Sequence, residues 1–144
     1  MIEQDTVRLL RECDAGIAMG VKSIDDVIDS VDSESFKKRL SECKYEHEEL
    51  KKDINVLLDK YKDDGKDPNP LAKGMSRIKI EAKLAVDSSD NMIADLITDG
   101  CNMGVKSLHK YLNKYKAASE EVKDITKRLI NSEEKLAVDI RMYL

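Results

Sequence analysis

His47 is the side chain of this sequence best placed to do chemistry. Phe36, Leu40, Cys43, His47, Leu50, Ile54, Leu57 and Tyr61 step by four and three, the spacing that lines up one face of an α-helix. An imidazole on that apolar stripe must satisfy both ring nitrogens or lose on the order of 1–3 kcal/mol, so something polar has to face it. Antiparallel pairing about the turn at Asp32 sets His47 level with Ile17 and Ala18, and pairing about a second turn sets Cys101 near Ser132 and Glu133. With a two-fold axis through mid-bundle, His47, Cys101, Ser132 and Glu133 share one layer. Cys, His and Glu are zinc ligands, which makes His47, Glu133 and Cys101 the candidate metal ligands. The competing reading is a hydrogen-bonded core histidine. The chain has no Gly-rich phosphate loop, no Cys-x-x-Cys and no Ser/His/Asp set at meaningful spacing, so no catalytic residue is assigned.

The helices that would position these residues announce themselves by repetition. Met19-Gly20-Val21-Lys22-Ser23 recurs as Met103-Gly104-Val105-Lys106-Ser107, an offset of 103 − 19 = 84. Leu9, Cys13, Gly16, Ile24 and Val27 then align with Ile93, Ile97, Gly100, Leu108 and Tyr111, again at helical spacing. Gly16, Gly20, Gly100 and Gly104 fall mid-helix, where each costs about 1 kcal/mol relative to Ala. They are read either as close-packing positions between crossing helices or as space for a small ligand.

Composition sets the class. The chain has 144 residues, 38% of them charged and 4% aromatic, with two prolines and no Trp, a balance that favours an all-α domain. Its net charge of −4 arises from interleaved Lys and Glu, which gives no reason to expect nucleic acid as a partner. Met1 to Glu12 lacks the apolar core of a signal peptide, and no stretch approaches the ~20 apolar residues that span a bilayer, so no membrane and a cytoplasmic location are expected. Cys13, Cys43 and Cys101 are odd in number and lie on apolar stripes, where thiols act as small hydrophobes.

In order, helix 1 is predicted from Ile2 to Val31 and helix 2 from the caps Asp32-Ser33 to about Tyr61, together hairpin 1 (residues 1–62). Gly65, Pro68 and Pro70 break the chain, and a connector follows (63–86), whose helix starts at Asn69-Pro70 with Met75, Ile78, Ala82 and Ala85 on one side. Its other side carries Lys73, Arg77, Lys79 and Lys83, a solvated face or a docking surface for an acidic partner. The pattern leaves open whether 71–115 is one helix or breaks near Asp87. Hairpin 2 (87–144) contains helix 3 from Ser89 to Tyr115 and helix 4 from the cap Ser119 onward. Asp87, Asp90, Asp95 and Asp99 make an acidic surface patch. Matching Lys127-Arg128-Leu129 to Lys38-Arg39-Leu40 makes helix 4 a divergent copy of helix 2 at an offset of 127 − 38 = 89.

Two homologous helical hairpins joined by a long connector resemble the ferritin-like superfamily, in particular its small uncharacterised bacterial members. The resemblance implies a four-helix bundle with internal two-fold symmetry, with iron, manganese or zinc as the cofactors to consider. Di-iron members of that superfamily carry a Glu on helices 1 and 3 and Glu-x-x-His on helices 2 and 4. This sequence departs from that pattern: Lys44 stands three before His47, Leu136 three after Glu133, and Glu12 and Asp99 lie one residue off the inward stripes. The expectation is therefore a non-enzymatic, self-associating bundle with a scaffold or partner-binding role and no cofactor. The alternatives are a metal-binding protein related to iron storage or peroxide handling with a remodelled site, and a small-ligand carrier.

Overall fold

The computed structural model describes residues 2–68 and 79–144 of the chain. Among them are five α-helices and no strand. Helix α1 spans Ile2–Val27 and passes through a 3-10 turn at Ile28–Ser30 to α2 at Glu34–Lys60. The described part of α3 covers 79–86, α4 runs Asp90–Lys114 and α5 Glu120–Asp139, followed by a 3-10 turn at Arg141–Tyr143. The chain therefore does break near Asp87. The expected cap Asn69-Pro70, together with Lys73, Met75, Arg77 and Ile78, lies outside the described residues.

The starts of α2, α4 and α5 are each fixed by a hydroxyl. Ser33, Ser89 and Ser119 take extended backbone and accept from the amides of Phe36, Met92 and Val122 respectively, satisfying one of the donors that a helix leaves unpaired at its N-terminus. A second set of caps comes from across the bundle. Asp90 of α4 accepts from the amides of Asp32 and Ser33 at 2.9 and 3.0 Å, while Asp5 and Thr6 of α1 accept from those of Ala117 and Ser119 at 3.0 and 2.8 Å. The first turn of each hairpin thus secures the bend of the other, and α1 runs antiparallel to α4. Along α2 and α5, Ser35 meets Tyr143, Arg39 meets Asp139 and Asp53 meets Arg128, so these helices are antiparallel too.

Adjacent helices α1, α2, α5 and α4 form a four-membered ring, with α1 also touching α5 across the diagonal. Since α2 ends beside the start of α1 and α4 begins beside its end, the connector has to travel the length of the bundle. Both of its described ends are anchored. Near α2, Asp63 accepts from Arg11 Nε at 3.1 Å and Lys66 Nζ donates to Glu12 at 2.7 Å. At the far end, Ile80 of α3 is buried with Ile24, Val27, Ile93 and Ala94, and Lys83 lies 4.0 Å from Asp95. Lys79, the other described member of the expected basic face, is exposed. In the acidic patch, Asp87 and Asp90 use their carboxylates on backbone amides at the caps.

The caps also revise the register between the second helices of the two hairpins. Ser33 and Ser119 differ by 119 − 33 = 86, and at that offset Phe36, Leu40, Cys43, His47, Leu50 and Ile54 correspond to Val122, Thr126, Leu129, Glu133, Leu136 and Ile140, all buried. The Lys-Arg-Leu match at 89 would set buried Leu50 against half-exposed Asp139. In that match only the leucines are core residues and Lys38 and Lys127 are exposed, so it carries less packing information than the caps and the run of six buried positions.

Candidate functional site

The apolar interior is two clusters, not one. Leu9, Leu10, Ile17, Leu50, Leu108, Val122 and Leu129 fill one end of the bundle, and Ile24, Phe36, Leu40, Ile93, Leu136 and Ile140 the other. Between them each long helix contributes one residue that is not apolar: Gly20 follows Ile17 and precedes Ile24, His47 stands between Cys43 and Leu50, Gly104 between Cys101 and Leu108, and Glu133 between Leu129 and Leu136. This layer joins the side chains that the apolar spacing brings to one level.

His47 is 1% exposed and Glu133 8%. Nδ1 of His47 lies 3.0 Å from the carbonyl oxygen of Cys43, one helical turn back; a carbonyl only accepts, so Nδ1 carries a proton. Nε2 lies 2.9 Å from Oε1 of Glu133. Burial alone would drive the ring proton off, but the hydrogen bonds with Cys43 and Glu133 outweigh it and raise the imidazole from 6.5 to about 10. At neutral pH the ring is an imidazolium donating from both nitrogens, so no buried charge is left bare.

Around this pair, Cys43 Sγ lies 3.6 Å from Nδ1 and 3.8 Å from Ser132 Oγ, and Ser132 donates to Glu46 Oε2 at 2.8 Å. The Cys101 thiol donates to Glu133; burial and that carboxylate push its pKa up, which keeps it protonated. Burial likewise pushes Cys13 up to about 11, beside the Thr126 hydroxyl at 3.2 Å. Two of the three free cysteines are thereby held as unreactive thiols. Arg39 closes the rim: Nε donates to Asp139 at 2.8 Å, Nη1 lies 3.9 Å from Glu46, and neither Nη1 nor Nη2 has a hydrogen-bond acceptor among the described residues.

The glycines take three different roles. A Cβ on Gly20 would lie 3.0 Å from His47 Nε2 and 3.3 Å from Glu133 Oε1, and one on Gly104 3.6 Å from the Glu133 carboxylate. These two admit the polar side chains of α2 and α5, and the space they open is already filled. Gly16 meets only Leu129 and Leu108 at van der Waals distance, and a Cβ on Gly100 would meet nothing within 4 Å. Gly100 is exposed and is not a close-packing position.

As a metal centre the layer is poorly equipped. A di-iron cage draws carboxylates from all four helices, whereas α1 and α4 present Gly20 and Gly104, which bring no donor. Nε2 of His47, the nitrogen facing the bundle axis, is engaged by Glu133. Among the described residues no three His, Cys, Asp or Glu side chains are arranged to hold an ion. Glu12 turns to Lys66, and Asp99 faces solvent.

One buried acid escaped the sequence reading, which placed no carboxylate on the inward stripes of the first helix. Asp14 is 6% exposed, accepts from the Lys66 amide at 3.0 Å and pairs with the Lys51 ammonium. Gly65, at φ +81°, crosses directly above it; a Cβ there would overlap the carboxylate at 2.3 Å. The signal was available: Leu10, Asp14, Ile17 and Val21 step by four, three and four, so Asp14 sits within the second apolar stripe.

No family model, curated protein or solved structure matches this chain. No helix among the described residues is long and apolar enough to cross a membrane.

Proposed function

We propose that this chain is a non-enzymatic helical bundle of ferritin-like topology, duplicated from one hairpin, that works as a self-associating scaffold or partner-binding protein. The observation that carries the reading is the state of His47: both ring nitrogens are used inside the protein, by Glu133 and the Cys43 carbonyl, and its neighbours Gly20 and Gly104 offer no ligand. The bend-securing bonds at equivalent places of the two hairpins and the long connector support the ferritin-like arrangement. Where such a bundle would hold ions, this one has an internal acid–base pair.

The second reading, a metal-binding protein with a remodelled site, draws on the convergence of His47, Glu133 and Cys101 in one layer. Metal analysis of protein purified without chelators separates the two. The first reading expects no stoichiometric iron, manganese or zinc, and a His47→Leu/Glu133→Leu protein at least as stable as the parent, since apolar replacement of a buried ion pair is often neutral or stabilising. Stoichiometric metal that disappears in that variant would establish the second. A small molecule co-purifying and detected by mass would instead favour a carrier.

A further inference from the structure

The pair His47–Glu133 lies where the hairpins are equivalent, and we infer that it selects which hairpins unite, favouring hairpin 1 with hairpin 2 over like hairpins from two copies of this chain. Contacts between α2 and α5 run antiparallel through this point, from Arg39–Asp139 on one side to Asp53–Arg128 on the other. At the cap-defined offset His47 corresponds to Glu133, so both lie at the approximate two-fold axis. A residue on such an axis faces its own kind when two copies of one hairpin pair.

The other polar levels of the interface are open to water: the side chains of Glu46, Asp53 and Asp139 are each more than a third exposed. Leu50 and Ile54 would meet apolar side chains in either arrangement, because the corresponding positions Leu136 and Ile140 are apolar and buried too. The outer ion pairs object only weakly: with two copies of hairpin 1, Arg39 would meet Asp53, the residue that corresponds to Asp139, while Asp53 would exchange Arg128 for Glu42, and with two copies of hairpin 2, Asp139 would lose Arg39, but these carboxylates can turn to water. Only in the central layer are both polar partners buried too deeply for water to take over. Two copies of hairpin 1 would press one His47 ring against another with no carboxylate between them, and two copies of hairpin 2 would press Glu133 against Glu133 beside Gly104. Either arrangement forces a buried group to discharge or stay unpaired. The pairing of unlike residues at one level is how helical assemblies fix their partners.

The experiment uses full-length chains carrying Ser41→Cys, an exposed position, labelled with donor or acceptor dye. The two pools are refolded together, or mixed after folding, and the gain in energy transfer on co-refolding is read alongside the mass of the species formed. Wild type shows no gain. H47L/E133L, which removes the preference without removing the fold, shows a gain that rises with concentration. The reversed pair H47E/E133H shows no gain, and its Tm lies closer to wild type than that of H47E or E133H alone, each of which falls by roughly 10 °C. A reversed pair no better than its single variants, or an H47L/E133L protein that folds yet shows no gain, overturns the inference. If H47L/E133L does not fold, the reversed pair decides alone.

Discussion

Glu133 and Asp14 are both carboxylates less than a tenth exposed, but the fold neutralises them by different means. Glu133 faces a single imidazolium that is itself 1% exposed and fixed at its other nitrogen by the backbone of its own helix. Asp14 is covered by a loop, and its cationic partner Lys51 has a side chain 40% exposed. In the first case all the partners sit on long helices and water cannot substitute for any of them. In the second, water can take over from Lys51, and the Lys66 amide leaves with its loop. The central pair therefore behaves as part of the core and the peripheral one as a clasp on the connector.

The comparison breaks most sharply if one member of the central pair is removed. Glu133→Leu leaves the imidazolium buried and unpaired and should lower unfolding free energy by about 3–5 kcal/mol in urea titration, whereas His47→Leu/Glu133→Leu restores it. Asp14→Ala should cost less, about 1–3 kcal/mol, because the exposed ammonium returns to water and only the Lys66 amide is stranded. That variant should also speed proteolysis between residues 63 and 68 while the helices stay protected. Gly20→Ala and Gly100→Ala differ in sign: the first presses on a ring held by two hydrogen bonds and destabilises, while the second meets nothing and gains about 1 kcal/mol of helix propensity. Arg11→Ala should be smallest, within about 1 kcal/mol, since the Arg11 side chain in its pair with Asp63 is 44% exposed.

Alkaline titration sharpens the same contrast. The folded-state pKa of His47 is raised from 6.5 to about 10, so its contribution is fully present below about 6.5 and is lost as pH climbs through about 10. The groups facing the ring are Cys43 from α2 and Glu133 from α5, with Cys101 of α4 behind Glu133, while α1 offers only Gly20. Wild type should lose stability between those pH values relative to His47→Leu/Glu133→Leu, as read by Tm against pH. A pH-independent difference would show that the ring is neutral in the folded chain.

Much of the central layer was legible because apolar spacing sets helical phase, and phase brings one residue of each helix to a common level. Cys101, Glu133 and His47 could be placed together from that phase combined with antiparallel pairing about two turns and a supposed two-fold axis through mid-bundle. The role of the glycines was not legible, since spacing says which face a glycine lies on but not that the atoms above it belong to an imidazole. Asp14 was missed for a non-local reason: its cover is a loop some fifty positions away that returns along α1, and a lone carboxylate in an apolar stripe reads as surface without that loop. The Lys-Arg-Leu match and the helix caps give different registers for α5, because exposed charged residues such as Lys38 and Lys127 are free to coincide while a cap marks where a helix begins.

The path from α2 to α4 has one more consequence. Spanning a 27-residue helix means covering about 40 Å, which a fully extended chain manages in about 12 residues, yet 29 separate Lys60 from Asp90. The tether is more than twice as long as its journey demands. By chain length alone, the connector could lose several residues and still reach from one hairpin to the other.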